Sequence, residues 1–172
     1  KFGVKRKNLF CNDPLNYVLK TNLIEQCDFN NIFVKPTQSA LEKGTFSLRK
    51  QDLLTKGLQT AGNLFSEKND FSNKIKEIIH LELDKYHNRF KESQEGFIKS
   101  WPKSYNINAW LVTMKNGGKL APHMHDYGWI SGSIYINVPP KLKTDSGNLV
   151  VCIDDQISEK NSQKKMMDVV TG

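Results

Sequence analysis

The stretch Asn106-Ile-Asn-Ala-Trp-Leu-Val-Thr-Met114 marks the point at which the hydrophobic pattern of the chain changes. Within it, apolar or β-branched residues occupy every second position from Ile107 to Thr113. A period of two is typical of a half-buried β-strand. This stretch therefore predicts that a sheet begins near residue 106.

Further short strands are predicted downstream, separated by turn residues. Asn116-Gly-Gly118 is typical of a turn, and Pro139-Pro140 would end a strand. The predicted strands after the turn are 120–125, 130–138 and 148–154. Residues 166–170 are predicted to be the start of a further strand.

Upstream of residue 106 the pattern predicts helices. The strongest runs from Asp70 to about Phe90, with Asn69 or Asp70 as its cap, and its apolar stripe recurs every three or four residues: Phe71, Ile75, Ile79, Leu83, Tyr86 and Phe90. A second helix is predicted to start at Asp13-Pro14, and the glycines between Gln51 and Phe65 predict a loop or a sharp turn. Helices followed by short strands indicate an α+β protein with an antiparallel sheet of sandwich or barrel type.

Composition limits the function classes. The 172 residues are 38% hydrophobic and 25% charged with a net charge of +7, which is typical of a folded domain with a basic surface. The lysines are scattered without an aromatic platform, so no nucleic-acid partner is expected, and no apolar run suggests a membrane segment. Three widely spaced cysteines predict a reducing, cytoplasmic environment. Oligomeric state is left open.

The motif Pro122-His-Met-His-Asp126 is the strongest candidate for chemistry. On a strand, His123 and His125 would point to the same face, where two neutral imidazoles can chelate one divalent metal. Asp126 and Tyr127 add oxygen donors. A surface-exposed pair with no metal is the alternative, because the motif is short.

A second group of histidines lies on the predicted helix. His80, Asp84 and His87 fall near one face, but Lys76 and Lys91 share that face. We therefore interpret it as a solvated surface and expect both histidines to be exposed and without metal.

Several segments together resemble a known family. They are Trp110–Met114, Gly117-Gly118, His123-Met-His125, the strand Trp129-Ile-Ser-Gly-Ser-Ile-Tyr-Ile-Asn-Val-Pro139 and Gly147-Asn-Leu-Val-Val151. The set resembles the 2-oxoglutarate/Fe(II)-dependent oxygenases that carry His-x-His before a Ser-Gly-x-x-Tyr strand. Gln59–Phe65 is similar to their upstream segment, so the resemblance spans about residues 50 to 172.

The resemblance implies a double-stranded β-helix, a jelly-roll barrel, with Fe(II) as cofactor and 2-oxoglutarate as co-substrate. Residues 1–100 would be an N-terminal helical region packed on it, and 101–172 the first part of the barrel. In the family's facial triad, His123 matches the first histidine. Either His125 takes the carboxylate position, or Asp126 supplies the carboxylate after a local twist, or His125 supports the site without binding the metal. Tyr135 or Asn137 would contact 2-oxoglutarate.

The resemblance also implies residues without a counterpart here. The family's distal histidine and its basic 2-oxoglutarate partner lie in later strands, so we expect the chain to be a fragment that is inactive alone. The substrate, small molecule or protein, is not indicated.

Two other functions are compatible with part of the pattern. Gly117, five residues and His123-Met-His125 reproduce the start of a cupin metal motif, but Trp129 and Ile130 stand where its glutamate is expected. The chain could also be a degenerate barrel that binds a partner without catalysis.

Overall fold

The structure is a computed structural model that describes residues 8–66, 70–153 and 163–172. Three α-helices and five strands are present in these ranges. The helices are α1 (Lys35–Glu42), α2 (Asp70–Phe90) and α3 (Gly96–Lys99), and the strands are β1 (Leu48–Arg49), β2 (Leu54–Thr60), β3 (Val112–Leu120), β4 (Leu149–Cys152) and β5 (Lys164–Met167). The fold is therefore of the α+β class.

Helix α2 confirms the prediction from the apolar period, since it spans Asp70–Phe90. Its predicted cap falls on Asn69 and the Asp70 side chain, which lie outside the described residues. The sequence predicted that this helix packs on the outside of a barrel, and the described residues do not show such packing. Ile75 and Ile78 instead contact one cluster of buried residues, and Tyr86 and Phe90 contact another.

The first cluster, called here the helical core, contains Leu23, Phe29 and Phe33. Phe29 lies just before a π-helical turn (Asn30–Val34) that contains Phe33 and leads directly into α1. Their rings stack with centroids 4.8 Å apart. Burying such aromatic side chains removes large apolar areas from water, so this cluster stabilises the fold.

The second cluster surrounds α3 and contains Cys11, Phe97 and Ile98. The hydroxyl groups of Tyr17 and Ser93 are 2.6 Å apart, and the Tyr86 hydroxyl donates to the Tyr17 carbonyl at 2.8 Å. These bonds satisfy polar atoms that would otherwise be partly buried without partners. The two hydrogen bonds connect the segment around Tyr17 to the C-terminal part of α2 and the residues that follow it.

The predicted helix after Asp13-Pro14 is wrong beyond its first turn. Only a 3-10 turn forms, Pro14–Tyr17, and Val18 is already extended. Lys165 donates to the carbonyl oxygens of Leu15 and Val18, at 3.4 and 2.9 Å. A side chain distant in sequence thus satisfies carbonyls that a longer helix would have bonded.

The main sheet is antiparallel, in the order β1-β2-β3. β2 occupies part of the range predicted to be a loop. Position 57 requires a glycine because the backbone of β3 approaches it closely. A Cβ on Gly57 would lie 2.9 Å from the Thr113 carbonyl oxygen. The glycine that suggested a break therefore reflects tight strand pairing.

The predicted turn at Asn116–Gly118 is also wrong, because β3 continues through it. The register jumps from Gly57↔Met114 to Thr55↔Lys119, so the extra residues of β3 form a large bulge. Gly117 has φ of +73°, and Lys56 on the facing strand has φ of +52°. A positive φ explains the glycine, which adopts this region without steric cost.

The strands predicted at 120–125 and 130–138 are absent, apart from Leu120 at the end of β3. Neither segment is helical. Residues 149–152 do form a strand, which pairs with Lys164–Met167 in a separate two-stranded sheet. No closed barrel is present in the described residues, so the jelly-roll prediction is not confirmed.

Segment 130–138 forms no ladder, but alternate side chains in it pack against the helical core. Ile134 and Ile136 both pack against that cluster. The segment still makes two hydrogen bonds with residues 171–172. Gly172 N donates to Tyr135 O at 2.9 Å, and Val138 N donates to the Thr171 hydroxyl at 3.1 Å. Alternation therefore correctly identified partly buried positions, but it did not predict that regular strand pairing would be absent.

No helix within the described ranges is both long and apolar enough to cross a membrane.

Candidate metal centre

The two candidate histidine ligands lie in a loop that follows β3. Ala121 N donates to the Leu53 carbonyl at 2.8 Å, which continues the β2–β3 pairing by one residue. After that point the chain leaves the sheet. The strand alternation from which a shared face was inferred is therefore wrong for His123 and His125, and loop geometry positions them instead.

The loop nevertheless brings the two imidazole rings together. Their centroids are 4.9 Å apart, with planes at 71°. The turn that follows is closed by a bond from Gly128 N to His125 O at 3.0 Å. Both side chains are exposed, so the prediction that they point into a barrel mouth is not confirmed.

The hydrogen bond made by His123 fixes its available nitrogen. Nδ1 lies 2.9 Å from the Ala121 carbonyl oxygen, which can only accept. The bond therefore requires a proton on Nδ1, and in a neutral imidazole the lone pair is then on Nε2. A backbone carbonyl orienting the far nitrogen is the arrangement that metal-bound histidines commonly have. His123 is thus suited to bind a metal through Nε2.

His125 is held by a different neighbour. The Trp110 ring lies 5.4 Å from the His125 ring, with 32° between their planes. Trp110 precedes β3 and is part of the motif set that suggested the family, but sequence reasoning did not place it beside the histidines.

The carboxylate of the predicted triad does not join His123 and His125 in a three-residue cluster. Asp126 is exposed in the turn after His125. Within the described ranges, no group of three His, Cys, Asp or Glu side chains is arranged to hold a metal ion. The arrangement supplies two nitrogen ligands, and the identity of the carboxylate ligand stays a prediction.

The two residues predicted to contact 2-oxoglutarate, Tyr135 and Asn137, differ in burial. Tyr135 is half-buried, and burial raises its pKa, an effect that a hydrogen bond with Ser133 partly opposes. Asn137 is exposed. Among the described residues, no hydrogen bond or ring contact joins either one to His123 or His125. Their role also stays a prediction.

Two contacts that the sequence did not predict hold the histidine loop to the helical part. Trp129 Nε1 donates to the Phe97 carbonyl at 3.1 Å, and the Trp129 ring meets Phe10 edge-on at 5.1 Å.

The two histidines of α2 each contact an aromatic side chain. His80 is exposed, and its Nδ1 lies 2.9 Å from the Tyr105 hydroxyl. His87 is half-buried and stacks on Trp101, with ring centroids 4.6 Å apart. The prediction of exposure is therefore confirmed for His80 and wrong for His87.

Comparison with known families supplies the deciding observation. Residues 108–171 match the model of the family described as "Putative 2OG-Fe(II) oxygenase". This segment is similar to the 2OG-Fe(II) oxygenase family. The resemblance inferred from the motifs is thereby confirmed for a segment that contains His123, His125, Asp126, Tyr135 and Asn137. Comparisons with curated proteins and with solved structures gave no match.

Proposed function

We propose that the protein is an Fe(II)- and 2-oxoglutarate-dependent dioxygenase of the hydroxylase type. The observation that carries the proposal is the pairing of His123 and His125 at 4.9 Å inside the segment that matches the oxygenase family. Two imidazoles are the nitrogen ligands of the two-histidine, one-carboxylate iron site.

In this proposal His123 binds iron through Nε2. Its Nδ1 proton is held by the Ala121 carbonyl, so the ring cannot rotate freely and its lone pair keeps one direction. Bound Fe(II), with 2-oxoglutarate and oxygen, supplies the oxidising chemistry of hydroxylation, in which 2-oxoglutarate becomes succinate and carbon dioxide.

His125 is proposed as the second ligand, at the position where the family's usual motif has a carboxylate. The alternative is that Asp126 takes this position, with His125 supporting it. The contact between His125 and Trp110 favours a direct role for the imidazole, because an aromatic neighbour limits the orientations of its ring. Tyr135 and Asn137 are proposed to contact 2-oxoglutarate.

We further propose that residues 101–172 form the first part of the family's β-helix, preceded by a region at 1–100. The β2–β3 pairing shows that the two regions already share a sheet. The distal histidine and the basic 2-oxoglutarate partner are not assigned to residues of this chain.

The test is succinate formation from 2-oxoglutarate by the longest natural form of the protein that contains these 172 residues. Turnover is expected only with Fe(II) and oxygen, and His123→Ala should abolish it. His87→Phe, which retains a ring against Trp101, is the matched control. Turnover without iron, or wild-type turnover in His123→Ala, would reject the mechanism. Loss in His125→Ala but not in Asp126→Ala would assign the second ligand.

A further inference from the structure

A second candidate site is a cleft between α2 and the segment that leads to β3. Its volume is about 370 Å³. Its wall is mostly polar, with side chains that can donate hydrogen bonds: Asn63, Lys76, His80, Tyr105, Asn106 and Asn108. Phe65 and Ile107 add an apolar surface.

The cationic group of the cleft is held in place. Lys76 Nζ donates to the Phe65 carbonyl at 3.1 Å and lies 5.1 Å from the centre of the Phe65 ring. Of the described residues that line the cleft, Lys76 alone has a formal charge at neutral pH when His80 is neutral. A lysine that is partly buried and already ordered loses less conformational entropy when it binds an anion.

The cleft also carries neutral donors. The Tyr105 hydroxyl and His80 Nδ1 are 2.9 Å apart, so either tautomer leaves the pair able to donate. Burial, and secondarily Asp84, raises the Tyr105 pKa, so the hydroxyl keeps its proton. Asp84 is exposed and does not line the cleft.

The cleft is also connected to the histidine loop. Asn63 accepts from Ala109 N at 2.9 Å and donates to Asn108 Oδ1 at 3.0 Å, which fixes the start of this segment. Trp110 follows directly and contacts the His125 ring. A ligand in the cleft would therefore lie along the same stretch of backbone that supports the candidate metal centre.

We propose that this cleft binds the carboxylate group of a small organic anion. A fixed ammonium group together with hydroxyl and amide donors matches a carboxylate, and the Phe65 and Ile107 surfaces match its short apolar chain. The assignment of this anion as the substrate of the oxygenase rests on the proposed function, whereas the binding of a carboxylate in the cleft does not.

The test is a titration of the metal-free protein with glutarate, followed by amide chemical shifts in NMR spectra. We expect millimolar binding with shifts centred on residues 63–65 and 105–108. Lys76→Gln should weaken it by about tenfold or more, because a charge-assisted bond is lost. Lys76→Arg should retain binding. Lys74→Gln, an exposed substitution on the same helix, should leave it unchanged.

The uncharged analogue glutaramide should bind much more weakly. Equal binding of glutaramide, or unchanged binding in Lys76→Gln, would overturn the inference. If Lys76→Gln does not fold, Tyr105→Phe gives the second measurement and should also weaken binding. Shifts centred on residues 123–127, or loss of binding in His123→Ala, would place glutarate at the metal centre and likewise overturn it. Iron binding is measured separately, so failure of the cleft and of the metal centre can be distinguished.

Discussion

The imidazole rings of His123 and His125 face each other nearly at right angles, 4.9 Å apart, although the residues do not lie on a strand. The loop achieves this through a bond from His123 Nδ1 to the Ala121 carbonyl and a ring contact between His125 and Trp110. A backbone carbonyl and an aromatic ring thus support the candidate site. The role of a neighbouring side chain in metal binding can be tested by substitution.

Trp110 is predicted to orient His125. Trp110→Ala should weaken Fe(II) affinity by about two- to tenfold, the effect of losing one aromatic contact of about 0.5–1.5 kcal/mol. Trp110→Phe should retain most of the affinity, because a ring remains at this position. The measurement is an anaerobic Fe(II) titration of each variant. Equal affinities for wild type and Trp110→Ala would show that the contact has no role in metal binding.

Phe33 is predicted to be the most sensitive core position. Its side chain is 1% exposed, and Phe33→Ala should lower the free energy of unfolding by about 3–5 kcal/mol because it leaves a cavity. Leu142→Ala is the control, since Leu142 is 83% exposed and should change stability by less than about 0.5 kcal/mol. Urea denaturation measures both, and similar losses in the two variants would contradict the described core.

The Asn63 side chain is predicted to stabilise the fold mainly as a hydrogen-bond acceptor, because it links its own segment to the one that leads to β3. It accepts from the backbone N–H groups of Phe65 and Ala109 and donates to Asn108. Asn63→Leu should reduce the free energy of unfolding by about 1–3 kcal/mol, because backbone donors lose their partner. Asn63→Asp keeps both acceptor contacts and should cost clearly less. Equal losses in thermal denaturation would argue against this bonding pattern.

Tyr86 is predicted to make stability fall at high pH. Burial raises its pKa to about 12, whereas an unfolded tyrosine has a pKa of about 10. Between these values the unfolded state loses the proton first, so unfolding becomes more favourable as pH rises from about 10 to about 12. Below pH 10 the residue has no such effect.

Tyr86→Phe tests this directly. The substitution removes the bond to the Tyr17 carbonyl and should cost about 1 kcal/mol at neutral pH. The part of the alkaline loss that comes from Tyr86 should also disappear. Tyr127→Phe is the control, because Tyr127 is fully exposed. An unchanged alkaline profile in Tyr86→Phe would contradict the assignment.

The sequence was most informative where local pattern and tertiary packing agree. The apolar stripe of α2 predicted its bounds correctly, because Ile75, Tyr86 and Phe90 each meet a buried cluster. Alternation in segment 130–138 identified Ile134 and Ile136 as packed positions, but not the absence of a ladder. Strand pairing depends on a partner backbone, and period alone does not reveal one.

The remaining errors came from contacts distant in sequence. Gly57 and Gly117 were interpreted as breaks, whereas one allows close strand approach and the other a bulge. The His123–His125 motif indicated the correct pair, but the reason for their proximity was the loop and not the pleat of a strand. Neither Trp110 nor Ala121 carried a signal that it would support them.

The central claim is that His123 and His125 together bind Fe(II), and NMR spectra of their ring protons test it most directly. Fe(II) added without oxygen should broaden the signals of these two histidines first, leaving His80 and His87 sharp at equal concentrations. In His123→Ala this selective broadening should be lost, whereas in His87→Phe it should remain. Equal broadening of all four histidines, or selective broadening that persists at His125 in His123→Ala, would contradict the account.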